Sequence, residues 1–132
     1  MIKVIVVDDE RFVRMGIVGE TDWASLGCEV VGEAENGSDA LELVHEKNPD
    51  LMICDIRMPK MNGLEMLKKL REEKNPVQVI FLTAYSEFSY AREALKLYAF
   101  DYLLKPFEDG ELENAILRAK ERIETDRGKQ RD

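Results

Sequence analysis

Short apolar runs alternate with amphipathic stretches five times along the 132 residues of the chain. The first, third and fourth runs are almost continuously apolar, which is typical of central parallel strands that are covered on both faces. The second run is more polar, and this favours a place at the edge of a sheet. The predicted strands are Ile2–Val7, Glu29–Ala34, Leu51–Cys54, Val77–Leu82 and Asp101–Leu104.

Apolar residues at helical spacing follow each predicted strand. The stripe of the first predicted helix includes Phe12 and Ile17. Ser38 and Ser86 are suited to cap the second and fourth helices. The last helix is predicted to begin near Phe107. Five strand–helix units of this kind predict an α/β protein with a doubly wound parallel sheet and right-handed crossovers.

The acidic composition narrows the partners of the chain. A net charge of −8 disfavours direct binding to nucleic acid or to an anionic membrane. No apolar stretch approaches the roughly 20 residues that span a bilayer, and no signal-peptide pattern opens the chain. Cys28 and Cys54 lie far apart and without metal-ligand spacing, so we expect reduced thiols in a cytoplasmic protein.

Acidic residues end two of the predicted strands. Asp8 and Asp9 follow the first strand, and Asp55 closes the third. Doubly wound sheets bind ligands beyond the carboxyl ends of their strands, so the three carboxylates are expected at one edge. Alone, the first two would be interpreted as helix caps. Together with a third acid they repel one another unless a cation is present, and clustered carboxylates suit Mg²⁺.

A hydroxyl and a cation follow two later strands, at Thr83 and Lys105. With the acids, they indicate phosphoryl chemistry in which Asp55 is the nucleophile that forms a mixed anhydride. Thr83 is also simply a good strand residue, and Lys105 alone would be a solvated loop lysine. Core packing is the default interpretation of Tyr102.

The apolar periodicity fades after Lys120, where the chain becomes charged throughout. We therefore expect residues 1–124 to form one domain. Residues 125–132 are expected to be a charged tail or the start of a linker.

Four stretches give the chain a family resemblance. They are Val-Val-Asp8-Asp9-Glu10, Cys-Asp55-Ile-Arg-Met-Pro59, Leu-Thr83-Ala84 and Tyr102-Leu-Leu-Lys105-Pro106. In this order the chain resembles the receiver domain of a two-component response regulator. The stretches beginning at Trp23 and Thr83 are similar to receivers that precede AraC-like helix-turn-helix DNA-binding domains.

The resemblance implies a flavodoxin-like (βα)5 fold with the strand order 2-1-3-4-5. It also implies that Asp55 accepts a phosphoryl group from a phosphohistidine on a sensor histidine kinase. Mg²⁺ would be held by Asp8, Asp9, Asp55 and the backbone carbonyl of Arg57.

The same resemblance implies how the signal would leave the site. Thr83 and Lys105 would hold the phosphoryl oxygens, and movement of Thr83 would let Tyr102 turn inward. That movement would change the face formed by the fourth helix, the fifth strand and the fifth helix. Tyr98 stands where receivers often have glycine, so a left-handed backbone there would cost on the order of 1 kcal/mol.

The partners and the class of activity follow from the resemblance. We expect a homodimer on activation, DNA binding only through an output domain that this sequence does not contain, and no conventional enzyme activity beyond self-phosphorylation and dephosphorylation. A phosphohydrolase of the haloacid-dehalogenase type is an alternative, but that family has an aspartate where this chain has Arg57. A phosphate-independent interaction module is another, although such proteins usually lose residues that this chain keeps.

Overall fold

Strand and helix alternate strictly along the chain in a computed structural model that describes residues 1–84, 88–108 and 110–131, with backbone alone at 88, 90, 91 and 129–131. All five predicted strands are present, and the third, fourth and fifth extend one or two residues further than predicted. Asp55, Thr83 and Lys105 therefore lie within the last residues of strands. The elements are β1 Ile2–Val7, α1 Arg11–Glu20, β2 Cys28–Ala34, α2 Gly37–Lys47, β3 Leu51–Asp55, α3 Gly63–Glu72, β4 Gln78–Ala84, α4 Phe88–Lys96, β5 Asp101–Lys105 and α5 Glu111–Arg131.

The five strands form one parallel sheet in the order β2-β1-β3-β4-β5, which confirms the predicted topology. Val7 is paired with Cys54, and Ala84 is paired with Lys105. The carboxyl ends of the central strands are consequently level at one edge of the sheet. Residues that follow or close these strands meet there.

Two apolar layers cover the sheet. Helices α1 and α5 pack on one face, and α2, α3 and α4 pack on the other. The prediction that Phe12 belongs to the buried stripe of α1 is wrong, because its side chain is 85% exposed while Ile17 is buried. Five residues at 3.6 per turn place these two side chains about 140° apart around the helix, so only one of them reaches the core.

The beginning of α2 differs from the prediction. Asn36, not Ser38, caps this helix, and its side-chain oxygen accepts a hydrogen bond from the backbone N–H of Asp39 at 2.8 Å. Gly37 is the first helical residue, and its N–H donates to the carbonyl of Met61 at 2.9 Å. This bond ties α2 to the loop that follows β3. A Cβ atom at position 37 would collide with that same carbonyl.

We expect Gly37→Ala to destabilise the protein by about 2 kcal/mol, the usual cost of forcing an extra group into a packed site. Gly16→Ala is the matched control, since its added Cβ meets no atom within 4 Å. That variant is expected to stabilise the protein by about 0.5–1 kcal/mol, because alanine favours a helix interior over glycine. Urea denaturation compares the two. Equal effects would contradict the close approach at Gly37.

Helix α5 begins at Glu111, so the predicted start near Phe107 is wrong. Phe107 instead packs against the apolar layer between α5 and the sheet. The helix continues through Arg131, and the side chain of Arg127 forms an ion pair with Asp50 at the opposite edge of the sheet from the acids. The division into a domain of residues 1–124 and a charged tail or linker of residues 125–132 stays a prediction.

The turn between α4 and β5 is held by Arg71 of α3. Its guanidinium donates hydrogen bonds to four carbonyl oxygens at 2.8–3.0 Å. Two of these belong to Leu97 and Tyr98. Tyr98 itself adopts the left-handed conformation, with φ of 62°. The end of α4 is therefore anchored by a side chain, although its backbone is strained at a non-glycine residue.

We expect Tyr98→Gly to raise the free energy of unfolding by about 0.5–1 kcal/mol. The left-handed conformation costs a non-glycine residue about 1–2 kcal/mol, and the greater freedom of glycine in the unfolded chain takes back part of the gain. Little packing is lost, because the Tyr98 side chain is 79% exposed. Tyr98→Ala keeps the strain and is the control in a urea titration. A Tyr98→Gly variant no more stable than Tyr98→Ala would contradict the strain.

Candidate functional site

Two buried aspartates meet at the carboxyl edge of the sheet. Asp8 directly follows β1 and Asp55 closes β3, in strands whose register pairs Val7 with Cys54. Because side chains alternate along a strand, both acids point to the face that carries α1 and α5. Asp8 is fully buried and Asp55 is 7% exposed.

Lys105 joins the two carboxylates. Its ammonium nitrogen lies 3.1 Å from Oδ2 of Asp8 and 3.3 Å from Oδ2 of Asp55. Lys105 closes β5, and β4 lies between β5 and β3 in the sheet, so the long lysine side chain spans the end of β4 to reach the acids. One ammonium group offsets one of the two buried negative charges, and the site keeps a net negative charge.

Burial and the neighbouring acids both change the pKa values of the site. Burial raises the pKa of Asp55 from 3.8 to about 6; Lys105 lowers it and Asp8 raises it again. Burial opposes the charge of Lys105, but Asp55 and Asp8 outweigh this effect, so the pKa of its ammonium group is raised. Asp55 is therefore harder to ionise than a solvent-exposed aspartate, and a bound cation would favour its carboxylate form.

Four acidic side chains are near enough to share a cation. The carboxylate oxygens of Asp8, Asp9, Glu10 and Asp55 include one from each residue, all lying within 4.8 Å of one another. Oxygen ligands of this kind fit a hard divalent cation such as Mg²⁺, which keeps waters in its other positions. Glu10 was not predicted as a ligand, although a third consecutive acid after the strand was the available signal.

The loop after β3 forms the other wall of the site. Arg57 lines an open pocket together with Asp9, Ile56, Met58 and Asn62. This places the residue whose backbone carbonyl was predicted as a metal ligand beside one of the acids. A Cβ at Gly63 would lie 2.7 Å from the carbonyl oxygen of Asp55, so glycine lets the start of α3 approach the end of β3.

Thr83 and Tyr102 lie on the other face of the sheet. Thr83 is fully buried, two residues after Phe81, and its hydroxyl donates to the carbonyl of Ala84 at 3.3 Å. Tyr102 is half-buried and packs against the layer formed with α2, α3 and α4. The two residues predicted as a switch therefore share a face that Asp8, Asp55 and Lys105 do not.

The single histidine of the chain is remote from the acids. His45 lies near the end of α2 and contacts Glu73, which follows α3, at 2.6 Å. In a right-handed strand–helix–strand unit, the end of the helix returns to the amino edge of the sheet. His45 is thus at the edge opposite Asp55.

Comparison with known proteins places the chain among signalling proteins. The sequence profile described as response regulator receiver domain matches residues 4–117. The uncharacterized transcriptional regulatory protein YesN of Bacillus subtilis is 40% identical over 116 residues, which are 88% of this chain and 32% of YesN. The transcriptional regulatory protein BtsR of Salmonella typhimurium is 42% identical over 125 residues, 92% of this chain and 49% of BtsR. The chain thus spans a third to a half of these curated relatives.

Solved structures agree with the fold. The receiver domain of AraT from Geobacillus stearothermophilus has a TM-score of 0.88 at 42% identity, covering 95% of this chain and 97% of that one. A two-component transcriptional regulator AraC from Clostridium phytofermentans has a TM-score of 0.86 at 26% identity, covering 95% and 97%. The resemblance to receiver domains is confirmed, and so is the resemblance to receivers of AraC-type regulators. Among the residues described, no helix is long and apolar enough to cross a bilayer.

Proposed function

Because the chain belongs to the family of response regulator receiver domains of two-component systems, we propose that it is a phosphorylation-controlled switch in which Asp55 accepts the phosphoryl group. One observation carries the proposal. The carboxylate of Asp55 lies at the carboxyl edge of the sheet, bridged by Lys105 to Asp8 and within reach of two further acids. That arrangement provides a nucleophile, a cation for phosphoryl oxygens and a set of metal ligands.

In the proposed reaction, a carboxylate oxygen of Asp55 attacks the phosphorus of a phosphohistidine on a sensor kinase. The P–N bond breaks, its electron pair returns to the imidazole, and an acyl phosphate forms. The donor histidine comes from the partner, since His45 lies at the other edge of the sheet. Hydrolysis reverses the state when water attacks phosphorus and the Asp55 carboxylate leaves. The protein is in this sense not a conventional enzyme, because it acts on itself.

The residues around Asp55 have separate tasks in this proposal. Lys105 is close enough to move from the carboxylates to the incoming phosphoryl oxygens. The hydroxyl of Thr83, which donates to the carbonyl of Ala84 in this structure, would donate to another phosphoryl oxygen after moving towards the phosphate. Asp8, Asp9, Asp55 and the carbonyl of Arg57 would hold Mg²⁺, with Glu10 adjacent. The bound cation would neutralise negative charge that develops during transfer.

The output of the switch is proposed to pass through the face formed by α4, β5 and α5. Thr83 and Tyr102 share the face on which α4 packs, so a shift of Thr83 towards phosphate opens space beside Tyr102. Among the described side chains of α4, Ala94 is buried whereas Leu95 is 47% exposed. This mechanism fits a local charge change that biases a bistable element.

Partners and location follow from the same proposal. A sensor histidine kinase supplies phosphate, and DNA is bound through an output domain of the kind found in transcriptional regulators. Cys28 and Cys54 are free thiols, which supports a cytoplasmic location. Homodimer formation on activation is tested by sedimentation with and without beryllofluoride as a phosphoryl mimic. An unchanged mass would count against it.

Intact mass after incubation with acetyl phosphate tests the proposed function. We expect the wild type to gain one phosphoryl group only when Mg²⁺ is present, and Asp55→Asn to gain none. A protein that releases phosphate continuously from small phosphate esters would instead be a phosphohydrolase. A wild type unmodified by both acetyl phosphate and a phosphorylated sensor kinase would be a phosphate-independent module.

A further inference from the structure

Every polar atom of Asp8 has a partner in this structure. Its N–H donates to the carbonyl of Ala34 at 3.1 Å, and Oδ1 accepts from the N–H of Glu10 at 2.9 Å. Oδ2 accepts from Lys105. The remaining atom, the carbonyl oxygen, accepts from a guanidinium nitrogen of Arg14 at 2.6 Å. Ala34 belongs to the sheet, Glu10 to the loop after β1, and Lys105 to the acidic site. Arg14 is the one partner of Asp8 that lies in helix α1.

Arg14 is built to hold the loop between β1 and α1 from two sides. Its backbone N–H donates to the carbonyl of Glu10 at 3.0 Å, and its side chain reaches back to the carbonyl of Asp8. The Nε atom is 3.2 Å from a carboxylate oxygen of Glu33 on β2, which fixes the plane of the guanidinium. The side chain of Arg14 is 15% exposed. A planar group with several donors can satisfy two partners in fixed directions, which an ammonium cannot do.

The held carbonyl matters because of covalent geometry. The C=O of Asp8 and the N–H of Asp9 belong to one rigid peptide plane. A donor fixed on that oxygen therefore sets the direction in which the chain continues to Asp9. Asp9 is exposed and lies beyond the end of β1, so strand pairing does not orient it.

We infer that Arg14 is a positioning residue of the metal site, which fixes the peptide between Asp8 and Asp9 so that both carboxylates face one divalent cation. This inference rests on the proposed function. Arg14 acts through the backbone and touches neither the cation nor the phosphoryl group. Its partner Glu33 keeps the guanidinium in the plane that this task needs.

Charge and position have opposite effects here, which makes the inference testable. A guanidinium beside the acids repels a divalent cation, so by charge alone its removal would strengthen Mg²⁺ binding. If its task is positioning, removal weakens binding. Loss of a residue that orients metal ligands typically lowers affinity by about tenfold or more.

The experiment is a calorimetric Mg²⁺ titration of wild type, Arg14→Gln and Arg14→Lys. Arg11→Gln is the matched control, because Arg11 is an exposed arginine on the same helix. We expect about tenfold weaker binding in both Arg14 variants and unchanged or slightly tighter binding in the control. Arg14→Lys keeps the charge, so its loss of affinity would be due to geometry, and it carries the test if Arg14→Gln does not fold. Faster amide hydrogen exchange at Asp9 is expected in both Arg14 variants without metal.

Two outcomes would overturn the inference in distinguishable ways. Arg14 variants that bind Mg²⁺ as tightly as Arg11→Gln, beside a wild type that binds it, would refute the positioning role and leave the proposed function intact. A wild type that binds no Mg²⁺ and is not phosphorylated would refute the proposed function together with this inference.

Discussion

Lys105→Met is expected to lower the rate of Asp55 phosphorylation by acetyl phosphate about a hundredfold, while Mg²⁺ binds more tightly. Removing one preorganised donor to developing negative charge typically costs 10²–10³ in rate, about 3–4 kcal/mol. The ammonium lies within 3.3 Å of both buried carboxylates, where it repels a divalent cation that needs the same oxygens. Its loss therefore acts in opposite directions on metal affinity and on phosphoryl transfer.

Rates of mass gain at saturating Mg²⁺, together with calorimetric Mg²⁺ affinities, measure both effects. Lys69→Met is the control, since Lys69 is exposed on α3 and its loss changes the net charge equally. Phosphorylation of Lys105→Met at the wild-type rate would show that the lysine does not contact the phosphoryl group. Weaker Mg²⁺ binding would show that it organises the acids more than it competes with the cation.

Asp55→Asn is expected to stabilise the metal-free protein by about 2–3 kcal/mol at pH 8 and by almost nothing at pH 3. The pKa of Asp55 rises from 3.8 to about 6 on folding, because burial and Asp8 disfavour its charge despite Lys105. Below pH 3.8, Asp55 is protonated in both the folded and the unfolded wild type. Between the two values only the unfolded state ionises, so the free energy of unfolding falls by about 1.4 kcal/mol for each unit that the pH rises. Above about 6 both states are ionised and the penalty is complete.

Urea denaturation in EDTA at several pH values tests this prediction. The amide that Asp55→Asn introduces resembles the protonated carboxyl, so the gap between the two proteins isolates ionisation of Asp55. Millimolar Mg²⁺ is expected to narrow or reverse the gap, since the cation stabilises the folded wild type through a ligand that the variant lacks. A gap that is constant with pH would contradict the raised pKa.

The location of the acids was predictable from local patterns. A run of apolar residues predicts a covered strand, and the end of such a strand in a doubly wound sheet is a ligand-binding edge. Asp8, Asp55 and Lys105 are each two residues beyond a residue of the same apolar layer. Strict alternation along strands therefore places the three side chains on one face without any knowledge of distances.

Other features could not be found locally, because they depend on contacts between distant segments. The exposure of Phe12 depends on how α1 is rotated against the sheet, and apolar spacing alone allowed more than one rotation. The choice of Asn36 over Ser38 as a cap depends on the contact between Gly37 and Met61. Arginines that donate to carbonyls have no sequence signal at all, since every backbone carbonyl is an equivalent target.

The sequence by itself determined the order of the elements, the strand ends at which acid, hydroxyl and lysine appear, and the family. These follow from periodicities of two and 3.6 residues and from motifs confined to single loops. Only the tertiary structure decided that Lys105 bridges Asp8 and Asp55, that Glu10 joins the acids, and that Arg14 holds the carbonyl of Asp8. The physical reason is that side-chain direction, burial and charge compensation are set where separate segments pack, and no local pattern encodes those distances.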